Sequence, residues 1–96
     1  MGASTFSNTV TRTDQINTPR KAFDVAVEQA QYDHGHSGYS GSIAEKSTFD
    51  VVKPREGESN HQCIERGLEH EFSDKWGPAG CIVTDQAYHF FGWASE

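Results

Sequence analysis

The sequence predicts an α+β fold in which two helices pack on one side of a small antiparallel sheet, in the order β-α-β-α-β-β. Three observations predict this class: two stretches with helical spacing of apolar residues, strand-like runs around them, and turn residues between them. A chain of 96 residues has room for one domain, which we assign to residues 18–96. Residues 1–17, rich in Ser, Thr and Asn, form either an N-terminal arm or an edge strand.

The first helix is predicted to begin at Thr18-Pro19, where a capping hydroxyl precedes a proline at the first helical position. An apolar stripe with the spacing of one helix face follows: Phe23, Ala26, Val27 and Ala30. We expect this helix to reach about Asp33 and to stop near Gly35.

The next stretch, "SIAEKSTFDVV" (42–52), alternates in polarity and predicts a strand that ends before Pro54. Ser59, followed three residues later by Gln62, forms a capping box. It opens a second helix that we expect to reach about Lys75.

The C-terminal runs "CIVTD" and "AYHFFGWAS" predict two strands joined by a tight turn near Asp85-Gln86. The last strand carries large aromatic residues on both of its faces, with Phe90 on one face and Phe91 and Trp93 on the other. Such a strand is either central in the sheet and covered twice, or part of an association surface.

Composition excludes several classes of partner. The formal net charge is −6 and Arg20-Lys21 is the one adjacent basic pair, so duplex nucleic acid is not expected to bind. No apolar run approaches the length of a membrane span, and "MGASTFSNTV" lacks the basic and apolar regions of a secretory signal. We therefore expect a cytoplasmic protein with no membrane partner, in which Cys63 and Cys81 are buried thiols.

The hydrophobic fraction also bears on assembly. Hydrophobic residues make up 34% of the chain, so a domain of this size has a thin core. Small scaffolds often gain stability from association between copies, and we expect a homo-oligomer.

The stretch "YDHGHSGYSG" (32–41) is the candidate ligand site. Its glycines recur every three residues, which allows close approach to the backbone and an anion nest of N–H groups. No G-K-[ST] ends it, so it is not a phosphate-binding P-loop. The predicted ligand-binding residues are His34, Gly35, His36, Ser37, Gly38, Tyr39, Ser40 and Gly41, with Trp93 as an aromatic that stacks on a base. A plain turn from helix to strand, with Trp93 packed in the core or a dimer contact, is the competing interpretation.

Metal and catalytic motifs are weak in this chain. His34-x-His36 and His61-x-Cys63 are close pairs of metal-ligand residue types, but they lack the spacing of structural zinc sites. No H-E-x-x-H motif or nucleophile elbow is present. The sequence therefore predicts no metal, no cofactor and no catalytic residue.

Three segments carry a resemblance: "AQYDHGHSGYSGSIAEK", "DKWGPAGCIVTD" and "HFFGWASE". Together they resemble small proteins, mostly of unassigned role, encoded by bacteriophages and related mobile elements, and the likeness spans roughly residues 20–96. It implies a role against host defence in the host cytoplasm, because some small acidic phage proteins hold signalling nucleotides and others bind a host protein.

We therefore expect a phage-type accessory protein that binds a phosphorylated or nucleotide-like ligand without catalysing a reaction, and so sequesters a host defence signal. One alternative is an inhibitor that binds a basic site on a host factor through its acidic surface: Glu56, Glu58, Glu65, Glu69 and Glu71. Another is a small metal-dependent hydrolase that uses His34, His36 and a carboxylate of the second helix.

Overall fold

The computed structural model describes residues 3–34, 42–70, 72–74 and 76–95. Within these ranges the elements follow the predicted order: β1 (Ala3–Thr11), α1 (Pro19–His34), β2 (Phe49–Val52), α2 (Asn60–Glu69), β3 (Ala79–Val83) and β4 (Ala87–Ser95). The α+β class and the β-α-β-α-β-β order are confirmed. The described residues include no helix long and apolar enough to cross a membrane.

The four strands form one sheet in the order β1-β4-β3-β2. The β1–β4 and β3–β4 pairs are antiparallel, whereas β2 and β3 run parallel. The sheet is therefore mixed, and the prediction of a wholly antiparallel sheet is wrong in this respect. The reason is that α2 carries the chain back across the sheet between β2 and β3, so that β3 starts at the same end as β2.

The helices cover opposite faces of the sheet, which corrects the prediction that both lie on one side. Side chains along β4 alternate between two cores. Phe90 points into the core under α1, whereas Phe91 points into the core under α2. The aromatic residues on both faces of β4 thus mark a central strand that is covered twice.

Helix α1 begins at Pro19 as predicted, and the Thr18 hydroxyl accepts a hydrogen bond from the Lys21 N–H at 3.2 Å. Its apolar stripe packs on the sheet through Phe23. The Phe23 ring centroid lies 5.0 Å from that of Phe49 and 5.6 Å from that of Phe90. These contacts fix the helix across β2 and β4.

Helix α2 opens with the predicted capping box at Ser59 and Gln62. It ends at Glu69, well before the expected end near Lys75. The Phe72 N–H turns back to the Gly67 carbonyl at 2.7 Å. Ending the helix here lets the Phe72 side chain enter the core under α2, where it is 4% exposed.

The strand predicted over residues 42–52 is confined to Phe49–Val52. A 3-10 turn, Ile43–Glu45, precedes it, and the Ser42 hydroxyl accepts a hydrogen bond from the Ala44 N–H at 3.3 Å. The turn buries Ile43 completely. The alternation of the sequence here reflects this turn and not an extended strand.

Strand β1 pairs with β4 along all nine of its residues and lies at the edge of the sheet. It contributes Phe6 and Val10 to the core under α1. Cys63 and Cys81 are free and buried, as predicted, and they belong to opposite cores.

Candidate functional site

The predicted ligand-binding residues divide into two groups. His34 is the last residue of α1, and Trp93 lies in β4. The others lie outside the described residues: Gly35, His36, Ser37, Gly38, Tyr39, Ser40 and Gly41.

Trp93 serves α2. Its indole Nε1–H donates to the Leu68 carbonyl oxygen at 2.9 Å, which satisfies one of the carbonyls left open at a helix C-terminus. Trp93 has the same parity along β4 as Phe91, so it lies on the α2 face. Helix α1, which ends at His34, packs on the other face, so this helix and the Trp93 side chain lie on opposite faces of the sheet.

A groove of about 670 Å³ runs along α1, between this helix and Lys46–Ser47. Its apolar floor is formed by Phe23 and Val27. The polar residues that line it are Arg20, Asp24, Glu28, Gln31, Tyr32, Lys46 and Ser47. The helical ones share one side of α1 because residues three, four and seven apart fall on the same face.

Tyr32 is the large aromatic residue at the C-terminal end of this groove. Its side chain is 90% exposed, although it occupies the last turn of α1. Tyr32 opens the glycine-rich stretch, yet sequence reasoning did not include it among the ligand-binding residues. Its position off the apolar stripe, two residues after Ala30, was the signal that the ring faces solvent.

Arg20 is the cation at the other end of the groove. Its Nε lies 3.5 Å from Asp24 Oδ1, and its guanidinium carbon lies 5.9 Å from the centroid of the Phe23 ring. Both partners of the ion pair are more than half exposed. Exposed pairs of this kind contribute little free energy, so the guanidinium is able to exchange Asp24 for an anion in the groove.

Lys46 forms part of the groove wall and is nearly buried. Its ammonium donates to the Gly77 carbonyl at 2.8 Å and to the Asp74 carbonyl at 3.5 Å. Burial lowers the pKa of Lys46, and the charge of Asp74 opposes that shift in part. Lys46 thus ties the wall of the groove to the segment before β3.

Glu58, one of the glutamates of the predicted acidic surface, is engaged within the protein. Its two carboxylate oxygens accept hydrogen bonds from Arg66 Nε at 3.0 Å and Nη2 at 3.1 Å, and Oε1 also accepts from the Arg55 N–H. The Arg66 hydrogen bonds, with that of the Arg55 backbone, lower the pKa of Glu58 to about 2. This carboxylate is paired with Arg66 of α2, and its side chain is 15% exposed.

The remaining glutamates of that surface differ in their surroundings. Glu65 Oε1 lies 2.9 Å from His61 Nε2, one turn earlier on α2. Glu56 and Glu69 are exposed, and Glu71 lies outside the described residues.

Neither cysteine is arranged as a nucleophile. Burial raises the pKa of the Cys63 thiol, and it raises that of Cys81 to about 12. Both thiols therefore stay protonated near neutral pH.

No three His, Cys, Asp or Glu side chains come together as a metal site in the part of the chain that the structure describes. The alternative of a metal-dependent hydrolase at His34 and His36 stays a prediction, because the His34 side chain and His36 lie outside the described residues.

Comparisons with known proteins return no match: no family model, no curated protein and no solved structure matches the chain. The functional interpretation therefore depends on the chemistry of the groove along α1.

Proposed function

We propose that the protein binds a phosphorylated, nucleotide-like ligand in the groove along α1, without catalysing a reaction. The observation that carries the proposal is the lining of this groove, which places an exposed aromatic ring, carboxylates and a guanidinium along one cleft of about 670 Å³. This volume lies within the range of roughly 300–1,000 Å³ that is typical of small-molecule sites.

Each polar group of the groove suits one part of a nucleotide. The exposed ring of Tyr32 offers a surface on which a base stacks, which contributes about 1–3 kcal/mol per base. The carboxylates of Asp24 and Glu28 are acceptors for ribose hydroxyls, as acidic residues are in dinucleotide sites. Arg20 supplies the planar donor fork that binds phosphate. Inorganic phosphate has neither a base to stack on Tyr32 nor ribose hydroxyls to donate to these carboxylates, so the lining favours a nucleotide over a bare anion.

The length of the groove favours a ligand larger than a mononucleotide. Tyr32 and Arg20 are twelve positions apart on α1, which corresponds to about 18 Å along the helix axis. A dinucleotide or an ADP-ribose derivative spans this length with its bases, sugars and phosphates. These ligand classes are also the ones that a protein sequestering a host signal is expected to hold.

Binding without catalysis is the form of the proposal that the groove supports. The Lys46 amine, which would be the nucleophile of the groove, donates to the carbonyls of Gly77 and Asp74. An ammonium held in this way is occupied in supporting the wall. We propose in addition, from the resemblance to bacteriophage proteins, that the ligand is a host defence signal held in the cytoplasm of the host.

Isothermal titration calorimetry with cyclic dinucleotides, ADP-ribose derivatives and inorganic phosphate tests the proposal. We expect saturable binding of at least one dinucleotide or ADP-ribose derivative and none of phosphate. Arg20→Gln is expected to weaken binding about tenfold or more, whereas Lys21→Gln, which removes the same charge from the adjacent position outside the groove, leaves it unchanged.

A second pair of variants tests the aromatic end of the groove. Tyr32→Ala is expected to weaken binding about tenfold, and Tyr32→Phe, which keeps the ring, retains most of it. An absence of heat for every dinucleotide and ADP-ribose derivative would overturn the proposal.

A further inference from the structure

Strand β1 presents a long outer edge. It pairs with β4 without interruption from Ala3 to Thr11, and no strand pairs with its other side among the described residues. An edge strand exposes a row of backbone N–H and C=O groups that is ready to pair with another strand. The length of this row, nine residues, exceeds the usual strand length of about 5–6 residues.

The edge of β1 lacks the features that normally prevent such pairing. Its sequence "ASTFSNTVT" contains no charged residue, no proline and no interruption of register. The opposite edge of the sheet, β2, has only four residues, includes Asp50 and is followed by Lys53-Pro54. One edge of the sheet is therefore protected and the other is not.

We propose that two copies of the chain pair through β1, antiparallel across a twofold axis near Ser7, so that their sheets join into one. A twofold axis is the commonest symmetry of protein oligomers, and it places each residue of the strand opposite its counterpart on the other side of the axis. With Ser7 at the centre of Ala3–Thr11, Thr5 of each copy lies opposite Thr9 of the other. Cross-strand threonine pairs are favourable in antiparallel sheets.

The charge distribution favours a second copy as the occupant of this edge. The chain carries 14 acidic and 8 basic residues, so two copies repel each other at most orientations. Strand β1 is free of charge along its whole length. In a dimer paired through β1, therefore, no like charges face each other between the two joined strands. This assembly is independent of the proposed ligand, because β1 does not line the groove along α1.

Cross-linking tests the position of the axis. Cα atoms of directly opposite residues in an antiparallel pair lie about 4.5–5.5 Å apart, within the range that a disulfide spans. We expect the full-length Ser7→Cys variant to form a disulfide-linked dimer on mild oxidation. The buried thiols of Cys63 and Cys81 do not compete. Gln29→Cys, an exposed position on α1, is the matched control and is expected to stay monomeric on a non-reducing gel.

Size-exclusion chromatography with light scattering tests the assembly itself. We expect the wild-type chain to be a dimer, Ser7→Lys to be a monomer, and the charge-matched Gln29→Lys to remain a dimer. Circular dichroism of each variant confirms that it is folded. A monomeric wild type, a Ser7→Lys dimer, or cross-linking of Ser7→Cys no greater than that of Gln29→Cys overturns the proposal.

Discussion

Gly80 of β3 lies directly opposite Phe91 of β4, and its hydrogen side chain makes room for the Phe91 ring. A Cβ atom at Gly80 would stand 2.4 Å from Phe91 Cζ. On the side of α2, a Cβ at Gly67 would stand 2.7 Å from Phe91 Cε2. The Phe91 ring is therefore enclosed between β3 and α2, and it cannot shift away from an added Cβ atom on either side.

We predict that Gly80→Ala destabilises the protein by about 2 kcal/mol. Overpacking of a filled core costs about 1–3 kcal/mol, and the enclosed ring places this site at the upper end. Alanine also reduces the entropy of the unfolded chain, which offsets roughly 0.4–1 kcal/mol. The net loss corresponds to a fall in Tm of roughly 8–16 °C for a domain of this size.

Urea unfolding followed by circular dichroism measures this loss. Gly77→Ala is the matched control, because a Cβ there would lie 3.4 Å from its nearest neighbour, the Asp74 carbonyl oxygen. The double variant Gly80→Ala/Phe91→Leu is expected to lose less than the sum of the two single losses, since the smaller side chain relieves the clash. A Gly80→Ala variant as stable as the wild type, or strict additivity in the double variant, refutes this account of the α2 core.

Three further predictions concern groups whose surroundings the structure defines. The Tyr88 hydroxyl is buried and has no hydrogen-bond partner among the described residues, so Tyr88→Phe is expected to raise stability by about 1 kcal/mol in thermal unfolding. Because Arg66 lowers the pKa of Glu58 to about 2 from 4.5, its contribution is complete above pH 4.5 and is lost as the pH falls toward 2; the stability difference between wild type and Glu58→Gln should shrink over this window in acid titrations. Cys63 and Cys81 are buried with raised pKa values, so a colorimetric thiol assay should detect them only after denaturant is added; rapid labelling of the native chain would contradict their burial.

The local elements of the fold could be predicted from sequence because their causes are local. The helix starts at Pro19 and Asn60 follow from neighbouring hydroxyl caps. The parallel pairing of β2 with β3 could not be predicted, because it depends on the path of α2 across the sheet. The early end of α2 also could not be predicted, because it depends on the burial of Phe72 against Phe91, which is remote in sequence. The centroids of the two rings lie 5.3 Å apart.

The groove along α1 was not predicted from sequence, and the predicted ligand-binding loop stays a prediction, because residues 35–41 lie outside the described residues. Tyr32 and Arg20 belong to the polar side of an amphipathic helix, and on sequence alone such residues read as an ordinary solvated face. The burial of Lys46 was also hidden, because the carbonyls that hold its ammonium, those of Asp74 and Gly77, are 28 and 31 residues away. The position of Trp93 on the α2 face, by contrast, could have been predicted from its parity with Phe91 along β4.

A ¹⁵N–¹H NMR titration of the full chain with the tightest-binding dinucleotide or ADP-ribose derivative tests the central claim most directly. The account predicts that the amide shifts follow the groove, with the largest changes along α1 from Arg20 to Tyr32 and at Ser47. The amides of α2 and the indole N–H of Trp93, on the opposite face of the sheet, are expected to change little. Shifts centred on α2 or Trp93, with α1 unaffected, would contradict the assignment of the groove as the ligand site.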